Sequence, residues 1–477
     1  MVFRNFAKNM KTDDTIFAPA TSVGAGAISV VRLSGPQALA IASSVLDRSL
    51  REAPGYSAHY CRVLEPDGSE LDQVVATVFR APHSYTGEDS VEISCHASPF
   101  VVARLMELLG GAGARLAEAG EFSRRAFVNG KMDLAQAEAV VDLIASESRA
   151  AHRVAMNQLR GGFSAELQEM RDKLLELTTL MELELDFSEE EVIFADRSKL
   201  LALADSVCAK AEALRDSFRL GNAIRKGVPV AIVGAANTGK STLLNALLGE
   251  DRAIVSDIAG TTRDTVEETV TLDDTLFRFI DTAGIRESAD EVERLGIGRT
   301  LDKLHTADIV LGVLDLSAPS TAFLEEAKRI VKEVDFNVQQ LFLVGNKMDL
   351  EGVNKNVIAL NNFVSQLESK GFNVKSLPLS ARTGQGVDSL KVLLQVIQSG
   401  RLSAQSGTLV VDARHAEALA KAADALASVR FGLRSSTPTD LIAQDLRLAL
   451  HHLGTITGTV TTDEILGQIF SRFCIGK

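Results

Sequence analysis

Eight residues constrain this chain more than any others: Gly234-Ala235-Ala236-Asn237-Thr238-Gly239-Lys240-Ser241, standing between an apolar run at 230–233 and a helical stretch at 242–247. Glycines at these positions let backbone N–H groups wrap a phosphate at a helix N-terminus. Lys240 supplies a cation to the β- and γ-phosphates, and Ser241 offers a hydroxyl to magnesium. Such a loop works only between a buried strand and a helix, so it commits this region to an α/β sheet. Further apolar runs at 277–281, 309–316, 341–344 and 376–379 are short and continuous, mostly with helical stretches between them. That is the pattern of strands buried on both faces of a largely parallel sheet.

Three more motifs follow in the order a guanine-nucleotide site needs. Asp281-Thr282-Ala283-Gly284 ends an apolar run and places a carboxylate by magnesium and a glycine amide by the γ-phosphate. Asn346-Lys347-Met348-Asp349 ends another; Asp349 can accept both N–H groups of the guanine edge, which adenine does not offer. Ser380-Ala381-Arg382 stands where backbone amides reach the guanine carbonyl. DxxG alone is common by chance, but four motifs in order point to GTP bound with Mg2+. The nucleotide-binding candidates at the loop are therefore Asn237, Thr238, Gly239, Lys240, Ser241 and Thr242. Between the loop and Asp281 lies Gly260-Thr261-Thr262-Arg263-Asp264, with Thr262 the candidate second hydroxyl on magnesium. The residue after Gly284 is Ile285, where the hydrolysis template carries a water-orienting Gln. Another group must place the water, and another positive charge must replace an arginine finger.

With 477 residues the chain is too long for one core and predicts two to four domains. Residues 14–118 mix short strands and helices, the mark of an α+β domain, with Pro66-Asp67-Gly68 turning a hairpin. From Leu134 the pattern is helical. Met156, Leu159, Phe163, Leu167, Met170, Leu174, Leu177, Met181 and Leu185 recur every three or four residues, a bundle-core stripe that Gly161-Gly162 interrupts. Helix returns at 416–434 and 439–453. Helical segments on both sides of the α/β unit read as one bundle into which that unit is inserted. The expected fold is multidomain: an α+β domain at 1–130, a discontinuous α-helical domain at 131–225 plus 400–477, and an inserted α/β P-loop GTPase domain at 226–399.

No apolar run reaches the roughly 18 residues that span a bilayer, and the first residues lack the apolar stretch of a signal peptide, so no membrane partner and a cytoplasmic location are expected. Cys61, Cys95, Cys208 and Cys474 form no CxxC pair and are expected to be reduced thiols. The net charge of -13 repels nucleic acid in bulk, so an RNA partner needs a local patch or another subunit.

Over essentially its whole length the chain resembles the MnmE (TrmE) tRNA-modification GTPases. Beside the phosphate loop and GTTRD, the resemblance rests on Ser84-Tyr85-Thr86-Gly87-Glu88-Asp89, on the run from Gly120-Glu121-Phe122-Ser123-Arg124-Arg125-Ala126-Phe127 to Glu138, and on Phe473-Cys474-Ile475-Gly476-Lys477. It implies a folate-binding, dimerising N-terminal domain and a GTPase domain activated by K+-dependent dimerisation. The implied K+ ligands are the Asn237 side chain, the Ser256 and Ile258 carbonyls, and Thr261; neutral oxygens can replace the hydration shell of the ion. The implied water-orienting carboxylate is Glu293, which without the family reads as part of a solvated acidic helix face. Implied contacts to 5-formyltetrahydrofolate or a related folate are Arg32, Glu88, Lys131 and Lys477, and Cys474 is a candidate catalytic thiol. An amino-pyrimidine edge suits a carboxylate and a glutamate tail suits cations. The chain departs from the family pattern at 21–26, Thr-Ser-Val-Gly-Ala-Gly, where Pro-Pro-Gly and a basic residue are usual. It departs again at Ala97-Ser98, where glycines are usual, and at Ala236, where proline is customary. The function so implied joins a homodimer to a flavin-dependent partner resembling MnmG, and adds an aminomethyl-type group such as carboxymethylaminomethyl to carbon 5 of the wobble uridine in certain tRNAs. The alternative is a GTP-controlled switch in ribosome assembly, with no folate chemistry.

Overall fold

The computed structural model describes residues 13–22, 26–186, 197–249, 267–272, 275–281, 304, 306–403, 407–435, 437–471, 473 and 476. The chain divides into two compact units. The first comprises Met1–Ile144, Ala155–Ala213 and Glu417–Lys477; the second comprises Ala145–Val154 and Leu214–Ala416.

In the first unit, β1 (Ile16–Pro19), β2 (Ile28–Ser34), β3 (Ser57–Leu64), β4 (Glu70–Phe79), β5 (Ser90–His96) and β6 (Arg115–Leu116) form one sheet in the order β3-β4-β5-β2-β1-β6. All neighbours are antiparallel except β1 and β6. Alternation decides which face is covered: Val74, Ala76 and Val78 of β4 are buried while Val75 between them is exposed. The covered face packs on the helices Ala38–Val45 and Pro99–Gly111 through Leu39, Ile41, Leu105 and Leu109. The Pro66-Asp67-Gly68 turn forms as expected: the Gly68 amide donates to the Glu65 carbonyl at 2.8 Å, and Gly68 takes φ +83°, open to a residue without Cβ.

The helical part of this unit is built on the stripe read from the sequence. Phe163, Leu167, Met170, Leu174, Leu177 and Met181 of the helix Gly162–Asp186 are buried. That helix packs against Thr439–Thr457, whose Ile442, Leu446, Ala449 and Leu453 face inward. Gly161, at φ +84°, separates Gly162–Asp186 from the preceding helix Arg149–Leu159. Among the described residues no helix is long and apolar enough to cross a membrane.

The second unit holds a sheet ordered β12-β11-β10-β7-β9-β8, from β7 (Val228–Val233), β8 (Glu267–Leu272), β9 (Thr275–Asp281), β10 (Ile309–Asp315), β11 (Gln340–Asn346) and β12 (Val374–Pro378). Every pair is parallel except β8 and β9. Helices cover both faces. Leu243 and Leu247 join Leu390 and Leu394 on one side, and Phe323, Ile330, Leu360 and Val364 fill the other. The two ends of this fold meet: the Val410 amide donates to Ser217 Oγ at 3.0 Å, and a Cβ on Gly221 would stand 2.1 Å from the Val410 carbonyl oxygen. Chain ends that touch are what an inserted α/β unit requires.

Candidate nucleotide site and a second charged site

The parallel register brings the nucleotide motifs to one edge of the second sheet. Ile232 pairs with Asp281, Gly312 with Val233, and Asp315 with Asn346, so the loop and two motifs leave the carboxyl ends of adjacent strands. Ligands of open α/β sheets bind in that crevice. The loop is shaped by positive φ at Gly234 (+149°), Asn237 (+62°) and Gly239 (+95°). A Cβ on Gly234 would lie 2.3 Å from the Val313 carbonyl, and one on Gly239 2.2 Å from the Asn346 amide nitrogen, so neither tolerates a side chain. Lys240 Nζ curls over the loop and donates to the carbonyls of Gly234 at 2.8 Å and Ala235 at 2.7 Å. Ser241 and Thr242 are exposed in the first turn of the helix Lys240–Leu248, and Asn237 is exposed at the loop tip.

Asn346 ties three motifs together. Its buried amide donates to the Thr238 carbonyl at 2.8 Å and accepts from the Ala381 amide at 2.9 Å. Lys347, at φ +71°, donates to Asp315 Oδ2 at 2.6 Å. Burial pushes the Asp315 carboxyl up, but Lys347 and Ser317 outweigh it and hold it below the usual range. Asp349 accepts from Ser380 Oγ at 2.5 Å and from the Arg382 guanidinium. Those hydrogen bonds, Ser380 first, keep the Asp349 carboxyl low and ionised at neutral pH. The geometry can therefore hold a polyphosphate on the loop and a guanine edge against Asp349.

The second site lies in the N-terminal sheet. Arg32 on β2 pairs with Glu92 on β5 at 2.8 Å, as their register dictates, and its guanidinium lies over the rings of Tyr85 at 5.2 Å and Phe122 at 5.7 Å. Arg32 Nη1 also donates to the carbonyl of Gly476 at 3.4 Å, 444 residues away. Glu88 accepts from Ser34 Oγ at 2.6 Å and from Arg125 at 3.3 Å. Lys131 Nζ donates to the Pro82 carbonyl at 2.9 Å, and Asn129 to the Thr86 carbonyl at 2.7 Å. A Cβ on Gly87 would meet both Asn129 and Lys131 at 3.2 Å. The polar set, the carboxylate of Glu88 with the basic side chains of Arg32 and Lys131, Arg32 itself paired to Glu92 and lying over two aromatic rings, fits a flat polar heterocycle with an anionic tail.

Two family models match the chain: one described as GTP-binding protein TrmE N-terminus over residues 15–131, and one described as MnmE helical domain over residues 134–474. A tRNA modification GTPase MnmE from Christiangramia forsetii is 46% identical over 477 residues, covering 98% of this chain and 100% of that protein. This chain belongs to the MnmE family. Other members similar to it, also named tRNA modification GTPase MnmE, come from Flavobacterium johnsoniae and Bacteroides thetaiotaomicron. The first is 46% identical over 98% of this chain and 100% of its own. The second is 48% identical over 97% and 99%.

Of the residues singled out in this MnmE-family sequence, the structure brings Thr238, Gly239, Lys240, Asn346, Asp349, Ser380, Ala381 and Arg382 to one edge, with the backbone of Asp281 beside them. Arg32, Glu88 and Lys131 gather in the first unit. Ser256, Ile258, Thr261, Thr262, Thr282, Ala283, Gly284, Glu293, Cys474 and Lys477 lie outside the described residues. Sequence reasoning missed Glu92, Ser34, Asp14 and the role of Arg125, all partners of the second site. Arg125 stands inside the quoted GEFSRRAF run, but its partners are distant in sequence and carry no local signature.

Proposed function

We propose that this chain is a GTP hydrolase that, as a homodimer and with a flavin-dependent partner resembling MnmG, attaches an aminomethyl-type group to carbon 5 of wobble uridine in certain tRNAs. The observation that carries the reading is the pairing, in one MnmE-family chain, of a guanine-nucleotide constellation centred on Asn346 and Asp349 with the charged site at Arg32 and Glu88. GTP and Mg2+ would be held by Lys240, Ser241, Thr262 and Asp281. K+ would be held by Asn237, Thr261 and the carbonyls of Ser256 and Ile258, supplying the charge that an arginine finger otherwise brings. Glu293 would orient the attacking water. In the N-terminal domain, Glu88 would accept from the amino-pyrimidine edge of a folate, and Arg32, Lys131 and Lys477 would face its anionic parts. A bound folate would supply the one-carbon unit, and Cys474, three residues before Lys477, would serve in the tRNA chemistry. Domain boundaries at 1–130, 131–225 plus 400–477, and 226–399 divide these tasks.

Nucleoside analysis of tRNA tests the proposal. Cells lacking this chain should lose the C5-modified wobble uridine, and an unchanged level would overturn the reading.

A further inference from the structure

Beneath Glu88 lies a denser network than a surface carboxylate needs. Arg125 is 1% exposed and donates from Nη1 to both Glu88 oxygens, at 3.3 and 3.4 Å. It also reaches the Asp14 carbonyl at 2.9 Å, Asp14 Oδ1 at 2.5 Å and Glu121 Oε1 at 3.1 Å. Arg115 shares two of these acids, standing 2.7 Å from Asp14 and 2.6 Å from Glu121. Arg115 and Arg125 thus face three carboxylates, with Arg124 standing farther off, 3.8 Å from Glu121. Asp14 and Glu121 each hold both of those arginines, whereas Glu88, among the described residues, holds Arg125 alone and at the longest distance. From the other side the fully buried Ser34 donates to Glu88 Oε2 at 2.6 Å, itself backed by Thr86 Oγ1 at 2.6 Å and Ser90 Oγ at 3.2 Å.

The consequence is a carboxylate fixed from two directions with acceptor capacity to spare. Among the described residues Oε2 takes Ser34 and a long contact from Arg125, Oε1 takes only Arg125, and an ionised carboxylate offers about four lone-pair sites. A carboxylate so held can read two parallel N–H groups, as on an amino-pyrimidine edge, and a site built for them rejects an analogue that lacks one. We infer that Arg125 and Ser34 are positioning residues that hold Glu88 for the amino-pyrimidine edge of a folate and thereby set selectivity for pterins that carry the 2-amino group. The inference rests on the folate reading proposed above. Burial of ion pairs is by itself poor evidence for a stabilising role, because desolvation offsets their attraction.

A double-mutant cycle on the full chain separates positioning from structure, with 5-formyltetrahydrofolate as the titrant in calorimetry. Arg125→Lys keeps a charge for Asp14 and Glu121 but loses the planar fork. It should weaken binding about tenfold, the loss of one charge-assisted hydrogen bond. In a Glu88→Gln background the same substitution should cost nothing further. Ser34→Ala should show the same dependence on Glu88, and it decides the matter if Arg125→Lys does not fold. Equal losses in both backgrounds, or unchanged affinity in the Glu88 parent, would overturn the inference. Absence of folate binding by the unsubstituted chain would overturn the folate reading beneath it.

Discussion

Asn346 carries more of the nucleotide site than any other single side chain, because one buried amide fixes the phosphate loop through Thr238 and the Ser380-Ala381 turn through the Ala381 N–H. Buried amides hydrogen-bonded at both ends hold geometry that loops alone do not. Asp349 stands in the same frame, its carboxylate aimed by Ser380. Asp349→Asn should therefore lose GTP affinity and gain affinity for xanthine nucleotides, whose carbonyl replaces the guanine amino group and accepts from the new amide. Unchanged GTP binding in a filter assay would place the base elsewhere. Their coming together was legible because the order and spacing of the motifs put them at the carboxyl ends of neighbouring strands. Arg125 was not: its partners Asp14 and Glu88 lie 111 and 37 residues away, so only the folded register reveals what the arginine holds.

The helix Glu121–Val128 ties the N-terminal sheet to that arginine. Burial pushes the Glu121 carboxyl up, but the Arg115 hydrogen bond, the Glu118 amide and Arg125 outweigh it and leave it below its ordinary value. Asp14 behaves alike: burial raises it, and Arg115 and Arg125 bring it down. A carboxyl depressed by folding adds stability that is complete above its unfolded pKa of about 4 and is lost as pH falls through its folded value. Protection of the amides of this helix, measured by hydrogen exchange and corrected for intrinsic rates, should hold level from about pH 8 to 5 and fall on acidification below about 4. Glu121→Gln should blunt that fall; protection that rises in acid would contradict the account. Other elements show where sequence pattern stops. β8 escaped the reading of continuous apolar runs because it is an antiparallel edge strand, Glu-Glu-Thr-Val-Thr-Leu, that alternates polar and apolar. The helix Asp463–Phe470 escaped because its eight residues are too few to show a period.

At the scale of the whole molecule, the insertion was legible because helix gave way to alternating strand and helix and then returned. The meeting of Ser217 and Gly221 with Val410 was not, since contact across 193 residues leaves no local trace. The proposed K+ site makes hydrolysis depend on the salt. Replacing sodium by potassium at equal ionic strength should raise GTP turnover strongly, toward the roughly 10³- to 10⁵-fold that an arginine finger gives. Equal turnover in the two salts would remove Asn237 from ion binding. With a net charge of -13, the proposed tRNA substrate would have to be gathered by a local patch or by the proposed partner, and not by the overall field.

The most direct measurement joins the nucleotide site to the RNA product: quantification of wobble-uridine nucleosides by mass spectrometry in cells lacking this chain, complemented either with the unsubstituted chain or with Lys240→Ala. The unsubstituted chain should restore the C5-modified nucleoside, and Lys240→Ala, folded and expressed at the same level, should not. Full restoration by Lys240→Ala would contradict it.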